Sequence, residues 1–249
     1  MSSKTVKAKR LRKFTLNEAK DNKSRIAKVF IGFAEEIKGN NVEYFSEDEV
    51  EDQIEINYRT FAQEMLEAIS STFKTSAYHT AEYTNDLFGW GLKSDAIEAV
   101  ADKAIEEYNN NYAASKVENI TNTTRKVINR VIAQGQKDGL NVKDIAQNIV
   151  DRVDDMSKSR AMTISRTETS DSVNNTHNKT AEKAGMNYKE WIHTDAGKTP
   201  RKNHQAISGK KIKIDKLFDL GGGIKAKYPH DPDLPAKEVI NCYCLCVYS

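Results

Sequence analysis

The spacing of apolar residues changes period once along this chain, and that change bounds the fold. From residue 24 to about residue 153 apolar positions recur three and four apart. "SRIAKVFIGFAEEIKG" places Ile26, Val29, Phe30, Phe33 and Ile37 on one helical face, with Ser24 set to cap it and Gly39 past its end. A second helix is predicted from roughly Val50 to Phe73, with Ile54, Tyr58, Phe61, Met65, Leu66 and Ile69 on its stripe. "LFGWGLKSD" reads as a glycine turn, with Ser94 as cap for "DAIEAVADKAIEEYNNNY". Beyond Asn119 the helices shorten. One carries Val127, Ile128, Val131 and Ile132; the next opens on Asn141 and carries Val142, Ile145, Ile149 and Val153. After Asn187 the period becomes two, and "YKEWIHT", "KKIKID" and "EVINCYCLCVY" read as strands. "DLGGGIKAKYPHDPDLP", with three successive glycines and three of the four prolines, reads as an irregular surface loop.

Between the two regimes lies "SRTETSDSVNNTHNKT". Ser, Thr, Asn and Asp prefer caps and turns to helix interiors. A structureless run of this length is nevertheless uncommon inside a compact domain. The stretch is therefore read as a helix, anchored by Ala161, Ile164 and Val173 and ended by Gly185, with Ile164, Glu168 and Asp171 or Ser172 on one face. The expected fold class is α+β: a mostly helical N-terminal region, then a small C-terminal domain of helices packed on a short antiparallel sheet.

The chain is 38% hydrophobic and 30% charged, which favours a modest core and solvated helices over a dense enzyme core. No apolar run approaches the roughly 20 residues that span a bilayer, so no membrane partner is expected. "MSSKTVKAKRLRKF" lacks the apolar segment of a secretory signal, which predicts a cytosol-like compartment. The net charge of +2 is unevenly distributed. Residues 1–28 hold ten Lys/Arg against two acids, and residues 197–227 hold nine bases against two acids. Residues 43–55 hold seven acids and no base. The N-terminal segment to about Lys23, poor in apolar residues, is expected to be mobile or to order on a partner. Basic arms commonly meet phosphate, and Lys7, Lys9, Arg10, Arg12 and Lys13 are the candidate contacts to double-stranded DNA, without sequence preference.

An ordered series of short motifs runs through the second half. "SRTET" at 165–169 is followed by Trp191, Asp195, "RKNHQAISG" at 201–209 and "NCYC" at 241–244. This series resembles the Mu F-like minor head proteins of tailed bacteriophages, the phage head morphogenesis family. Arg166, Thr167 and Glu168 match the family's R-T-E helix. Asp195, Arg201, His204 and Gly209 match its D…R-x-x-H-x-x-x-x-G segment, and Cys242 with Cys244 its closing C-x-C. Two departures stand out: Tyr243 occupies the place of an Arg, and "PHDP" lies upstream of where a His-Pro usually precedes the cysteines. The resemblance covers residues 119–249 as a Mu F-like domain, leaving residues 1–118 as a basic arm and helical region. It implies a non-enzymatic virion component at the portal–capsid junction that assists head assembly and DNA packaging or delivery. The implied partners are the portal protein, the major capsid protein or scaffold, and DNA. The implied location is the virion interior, with the host cytoplasm during assembly.

The residues themselves allow other readings. Arg166, Glu168, Asp195, Arg201 and His204 could form one polar cluster that fixes packing, or a site where a carboxylate–histidine pair moves protons. The latter would suit a toxin-like transferase or nuclease built on the same domain. The chain has no glycine-rich phosphate loop, nucleophile elbow or H-E-x-x-H, so no catalytic residue and no cofactor is expected. A host DNA-binding protein acting through its basic arms is a third class. Cys242, Cys244 and Cys246, all the chain's cysteines, would project from one face of an extended strand and fill its core side. The alternative is a zinc clip in which Cys242 and Cys244 converge with His204, with His230 a candidate fourth ligand; the metal is left open.

Overall fold

The computed structural model describes residues 3–39, 47–194 and 200–249. The fold is α+β. Its helical part comprises α1 (Ser3–Gly39), α2 (Glu47–Phe88), α3 (Ser94–Asn111), α4 (Ala113–Lys137) and α5 (Val142–Lys183). A smaller lobe follows, in the order β1 (Tyr188–Ile192), α6 (Lys202–Ala206), β2 (Lys211–Lys213), β3 (Phe218–Gly221), β4 (Ile224–Ala226), α7 (Ala236–Val239) and β5 (Leu245–Tyr248). β1 is the centre of an antiparallel sheet ordered β2-β1-β5, while β3 and β4 form a separate hairpin. The acidic stretch at residues 43–55 begins outside the described residues.

α1 and α2 run antiparallel. Phe33 stacks on Tyr58 near one end and Phe14 on Tyr83 near the other, at centroid separations of 5.4 and 4.3 Å. α5 lies against both. One apolar cluster runs from Ile26, Phe30 and Phe33 through Phe61 and Phe73 to Ile149, Val153 and Ile164, so the core is continuous across residue 118. Each of these side chains, fully buried, contributes roughly 1.5–3 kcal/mol.

The N-terminal segment is not a mobile arm. α1 continues unbroken from Ser3, and Ser24 sits within it rather than capping it. Ala8, Leu11, Ala19 and Asn22 are buried and extend the Ile26 stripe toward the N-terminus at helical spacing. Small and polar residues carry the inward face there, which hides the stripe from a hydrophobicity reading. For the same reason α2 runs past Phe73: Ser76, Ala77, Thr80, Ala81 and Thr84 are all buried.

Caps and turns divide similarly. Asn141 caps α5 by accepting a hydrogen bond from the Asp144 amide at 2.9 Å, as its position predicts. Ser94 is instead the first residue of α3, whose cap position is Lys93. At the α4–α5 turn, a Cβ on Gly135 would lie 2.6 Å from Ile145 Cγ1, so glycine permits the close approach of the two helices. The supposed loop at 219–235 is largely structured. Gly221, Gly222 and Gly223 all take positive φ and turn the β3–β4 hairpin, after which Tyr228, His230 and Asp231 are buried.

Candidate functional site

α5 is the axis from which the site is built. From Ser165 to Asn178 every residue except Arg166 is buried, although only Val173 among them is apolar. The stretch is helical because its hydroxyls find carbonyls. Thr167 and Thr180 donate to the carbonyls four residues back, at 2.9 and 2.8 Å. Ser165 donates to Ala19 O of α1 at 2.6 Å and Ser172 to Phe73 O of α2 at 2.8 Å. Small side chains let the three helices approach closely enough for these bonds. His177 is enclosed by the rings of Phe88, Trp90 and Tyr248, and burial pushes it down to about 3, so it stays neutral.

One turn further back, α5 presents two carboxylates to cations from other elements. Lys116 of α4 pairs with Glu168, Nζ to Oε2 3.2 Å, and with Asp171. The Tyr108 hydroxyl donates to Glu168 Oε2 at 2.8 Å. On the other side of Asp171 stands His230, with Nδ1 2.7 Å from Oδ1 and Nε2 2.9 Å from the Cys242 carbonyl. Burial alone would depress His230, but hydrogen bonds to Asp171 and Cys242 outweigh it and lift the imidazole to about 10. Burial alone would raise Asp171, yet Lys116 and the bond from His230 hold its carboxyl below the usual range. Glu168 moves the other way: burial raises it against the pull of Lys116, with Asp171 adding to the rise.

The network ends at the cysteines. Cys242 and Cys244 do not lie in a strand, contrary to the reading of 238–248 as one extended segment. α7 occupies Ala236–Val239, Asn241 takes φ +57, and β5 begins only at Leu245. This turn swings both thiols toward His204 of α6, whose Nδ1 lies 3.6 Å from each Sγ. Glu238, buried, faces the other ring nitrogen of His204 with Oε2 3.0 Å from Nε2. The Cys244 amide donates to Cys242 Sγ at 3.4 Å, and His193 Nδ1 lies 3.4 Å from Cys244 Sγ. A hydrogen bond from the Cys244 thiol holds Cys242 well below the usual thiol range, against burial; the same bond and burial push Cys244 up. Only Cys246 lies in a strand, β5, but all three cysteines are buried in the apolar core of the small lobe as expected; burial pushes Cys246 up to about 12.

Of the residues expected to share one polar cluster, Arg201 and His204 both face Glu238 Oε2, at 4.0 and 3.0 Å, while Arg166 and Glu168 have other partners. Arg166 donates to the Tyr243 hydroxyl at 2.7 Å and lies over that ring. Glu168 faces Lys116 on a different side of α5. Arg201 donates from Nε to Lys237 O at 2.7 Å and from Nη2 to Ile240 O at 2.6 Å, satisfying carbonyls at the end of α7. His204 joins the thiols, and Asp195 lies outside the described residues. His230 lies against the Cys242 side chain but outside the cluster of His204 with the two thiols; its nitrogens are engaged with Asp171 and the Cys242 carbonyl. Asp171, expected on the face of α5 that carries Glu168, is joined by Lys116, Glu238 and His193, which were not singled out. Lys116 did carry a signal, since it sits next to Val117 on the inward stripe of α4. Of the basic residues of α1, Lys9, Arg10 and Lys13 are exposed, while Lys7 lies over Phe88 at 5.0 Å and Arg12 over Tyr243 at 5.9 Å.

This half of the molecule coincides with a known family. Residues 126–247 match the family described as Phage Mu protein F like protein. The chain is also similar to an uncharacterized protein, YqbB, of Bacillus subtilis strain 168, at 29% identity over 125 residues. That alignment covers 49% of this chain and 41% of YqbB, so this chain matches about two-fifths of the length of its curated relative. No solved structure matches.

The asymmetry of the ion network gives a ranking. Asp171→Asn strips His230 of its charge partner and should cost about 3–5 kcal/mol, whereas Glu168→Gln leaves Lys116 paired with Asp171 and should cost about 1–3 kcal/mol. The stability Asp171 contributes is present above its unfolded value, roughly pH 4, and is lost as pH falls through its lower folded value. Urea denaturation as a function of pH should therefore show a shallower loss below about pH 4 in Asp171→Asn than in the parent. Equal costs for the two substitutions would contradict the ranking.

Proposed function

We propose that this chain is a minor head protein of a tailed phage, a non-enzymatic component of the virion interior at the portal–capsid junction that assists head assembly and DNA packaging or delivery. The observation that carries the reading is the match of residues 126–247 to the Mu F-like family. Two features of the fold agree with it. The R-T-E side chains are spent on internal packing, with Arg166 on Tyr243 and Glu168 on Lys116. The cavity beside His204 holds only about 10 Å³, room for a single water and not for a substrate. Among the described residues no helix is long and apolar enough to cross a membrane. Portal protein and major capsid protein or scaffold are the proposed protein partners, and double-stranded DNA the proposed polyanion.

For DNA, the presenting surface is the outer face of α1 and not a flexible tail. Lys9, Lys13 and Lys20 are exposed at spacings that keep them on one side of the helix, with Arg10 beside them. Such a face meets phosphates without reading bases.

Two measurements test this reading. Mass spectrometry of purified virions and procapsids should find the chain inside the particle in few copies; absence from both would overturn the assignment, as would a transferase or nuclease activity lost in a folded Glu168→Gln protein. For the DNA contact, deleting residues 1–23 would remove core residues Ala8, Leu11 and Ala19. Substitution of Lys9, Arg10 and Lys13 by Gln avoids this and should weaken binding uniformly across sequences. It should also reduce the salt slope by about 1 per residue. An unchanged slope would assign this face to a protein partner instead.

A further inference from the structure

We propose that His204, Cys242 and Cys244 bind a structural zinc ion, with a further nitrogen or oxygen ligand completing the tetrahedron. One atom from each of the first three, Nδ1 and the two Sγ, lies within 4.8 Å of the others. The edges of the cluster have the right length. Zinc bonds of about 2.3 Å to sulfur and about 2.0–2.1 Å to nitrogen at tetrahedral angles give S···N separations of about 3.6 Å. Nδ1 of His204 is 3.6 Å from Cys242 Sγ and 3.6 Å from Cys244 Sγ.

The surroundings are those of a metal ligand set. Glu238 accepts from Nε2 of His204, which fixes the ring and leaves the Nδ1 lone pair directed at the thiols; a carboxylate in this role is the common outer partner of a metal-bound histidine. Asn203 also donates to Glu238 Oε2, at 3.1 Å, holding the carboxylate in place. The Cys244 amide donates to Cys242 Sγ, stabilising negative charge on that sulfur. Two thiolates and an imidazole nitrogen select zinc over harder cations.

Two other uses of the same atoms fit less well. A Cys242–His204–Glu238 relay could activate a nucleophile, but Cys242 is 3% exposed and borders a cavity of only about 10 Å³. A disulfide between residues two apart is strained, because their side chains cannot readily reach the required dihedral. Zinc also has a structural purpose here. It would join α6 to the segment before β5 in a lobe whose strands are three to five residues long.

The test is elemental analysis of the full chain purified without chelator and reconstituted with zinc alone, with X-ray absorption at the zinc edge. The expected result is about one zinc per chain, with two sulfur neighbours and the remainder nitrogen or oxygen. Cys242→Ser, Cys244→Ser and His204→Ala should fall to background metal, while Cys246→Ser, equally buried, should keep its full equivalent. Cobalt(II) in place of zinc should show thiolate charge-transfer bands in the parent and lose them in Cys242→Ser. Where the serine variants do not fold, the absorption spectrum of the parent decides alone. A reconstituted parent without stoichiometric zinc, zinc with no sulfur neighbour, or full retention in the Cys242→Ser/Cys244→Ser double variant would overturn the proposal.

Discussion

The charges around Asp171 hold the two parts of this molecule in one arrangement. Lys116 comes from the helical bundle, His230 from the small lobe, and Asp171 on α5 faces both. Withdrawing ions from water costs several kcal/mol each, and only close, hydrogen-bonded partners offset that cost. Here the offset is met: two carboxylates and two cations alternate, Tyr108 occupies a further lone pair of Glu168, and His230 passes its second N–H to the Cys242 carbonyl. The arrangement specifies geometry more than it adds stability. Hydrophobic contacts of similar volume would tolerate a slip between the lobes, whereas a displaced Lys116 or His230 would leave a buried charge unpaired.

A polar central helix follows from the same logic. Helices α1, α2 and α5 approach through Ala, Ser and Thr positions, and at that separation a hydroxyl reaches a carbonyl of the next helix. Ser165 and Ser172 each make such a bond, and Asn22 reaches Ser76 at 3.0 Å. Buried polar groups that find partners cost little, and those left without partners cost about 1–3 kcal/mol each. The fold therefore commits these residues to one helix register. The charged network and the thiol cluster both hang from that register.

Much of this was legible in the sequence, and the rest had physical reasons for being hidden. Large apolar residues at helical spacing marked the interior parts of α1, α2, α4 and α5, and alternation marked β1 and β2. Asn141 and Gly185 signalled a start and a stop that the backbone obeys. The docking of residues 3–23 was concealed because its inward face is Ala8, Leu11, Thr15 and Ala19, a stripe built largely of small side chains. Arg166 and Glu168 were read as one cluster, yet residues two apart on a helix point about 200° from each other. They therefore meet different neighbours. The C-x-C turn was mistaken for strand because Tyr243 and its flanking cysteines have β-favouring composition; Asn241 at positive φ breaks the extension. Glu238 and His193 become partners only through tertiary folding, and no local pattern marks them.

The central claim is that the ion network couples the helical bundle to the small lobe, and cooperativity tests it directly. In a Trp90→Phe background, Trp191 of β1 is the remaining one of the chain's two tryptophans and reports on the small lobe. Urea unfolding followed by Trp191 fluorescence and by far-ultraviolet circular dichroism should give coincident transitions. With Asp171→Asn added, the Trp191 transition should move to lower urea ahead of the helical signal. Separate transitions in the Trp90→Phe parent, or transitions that remain coincident and unshifted in the Asp171→Asn protein, would contradict the account.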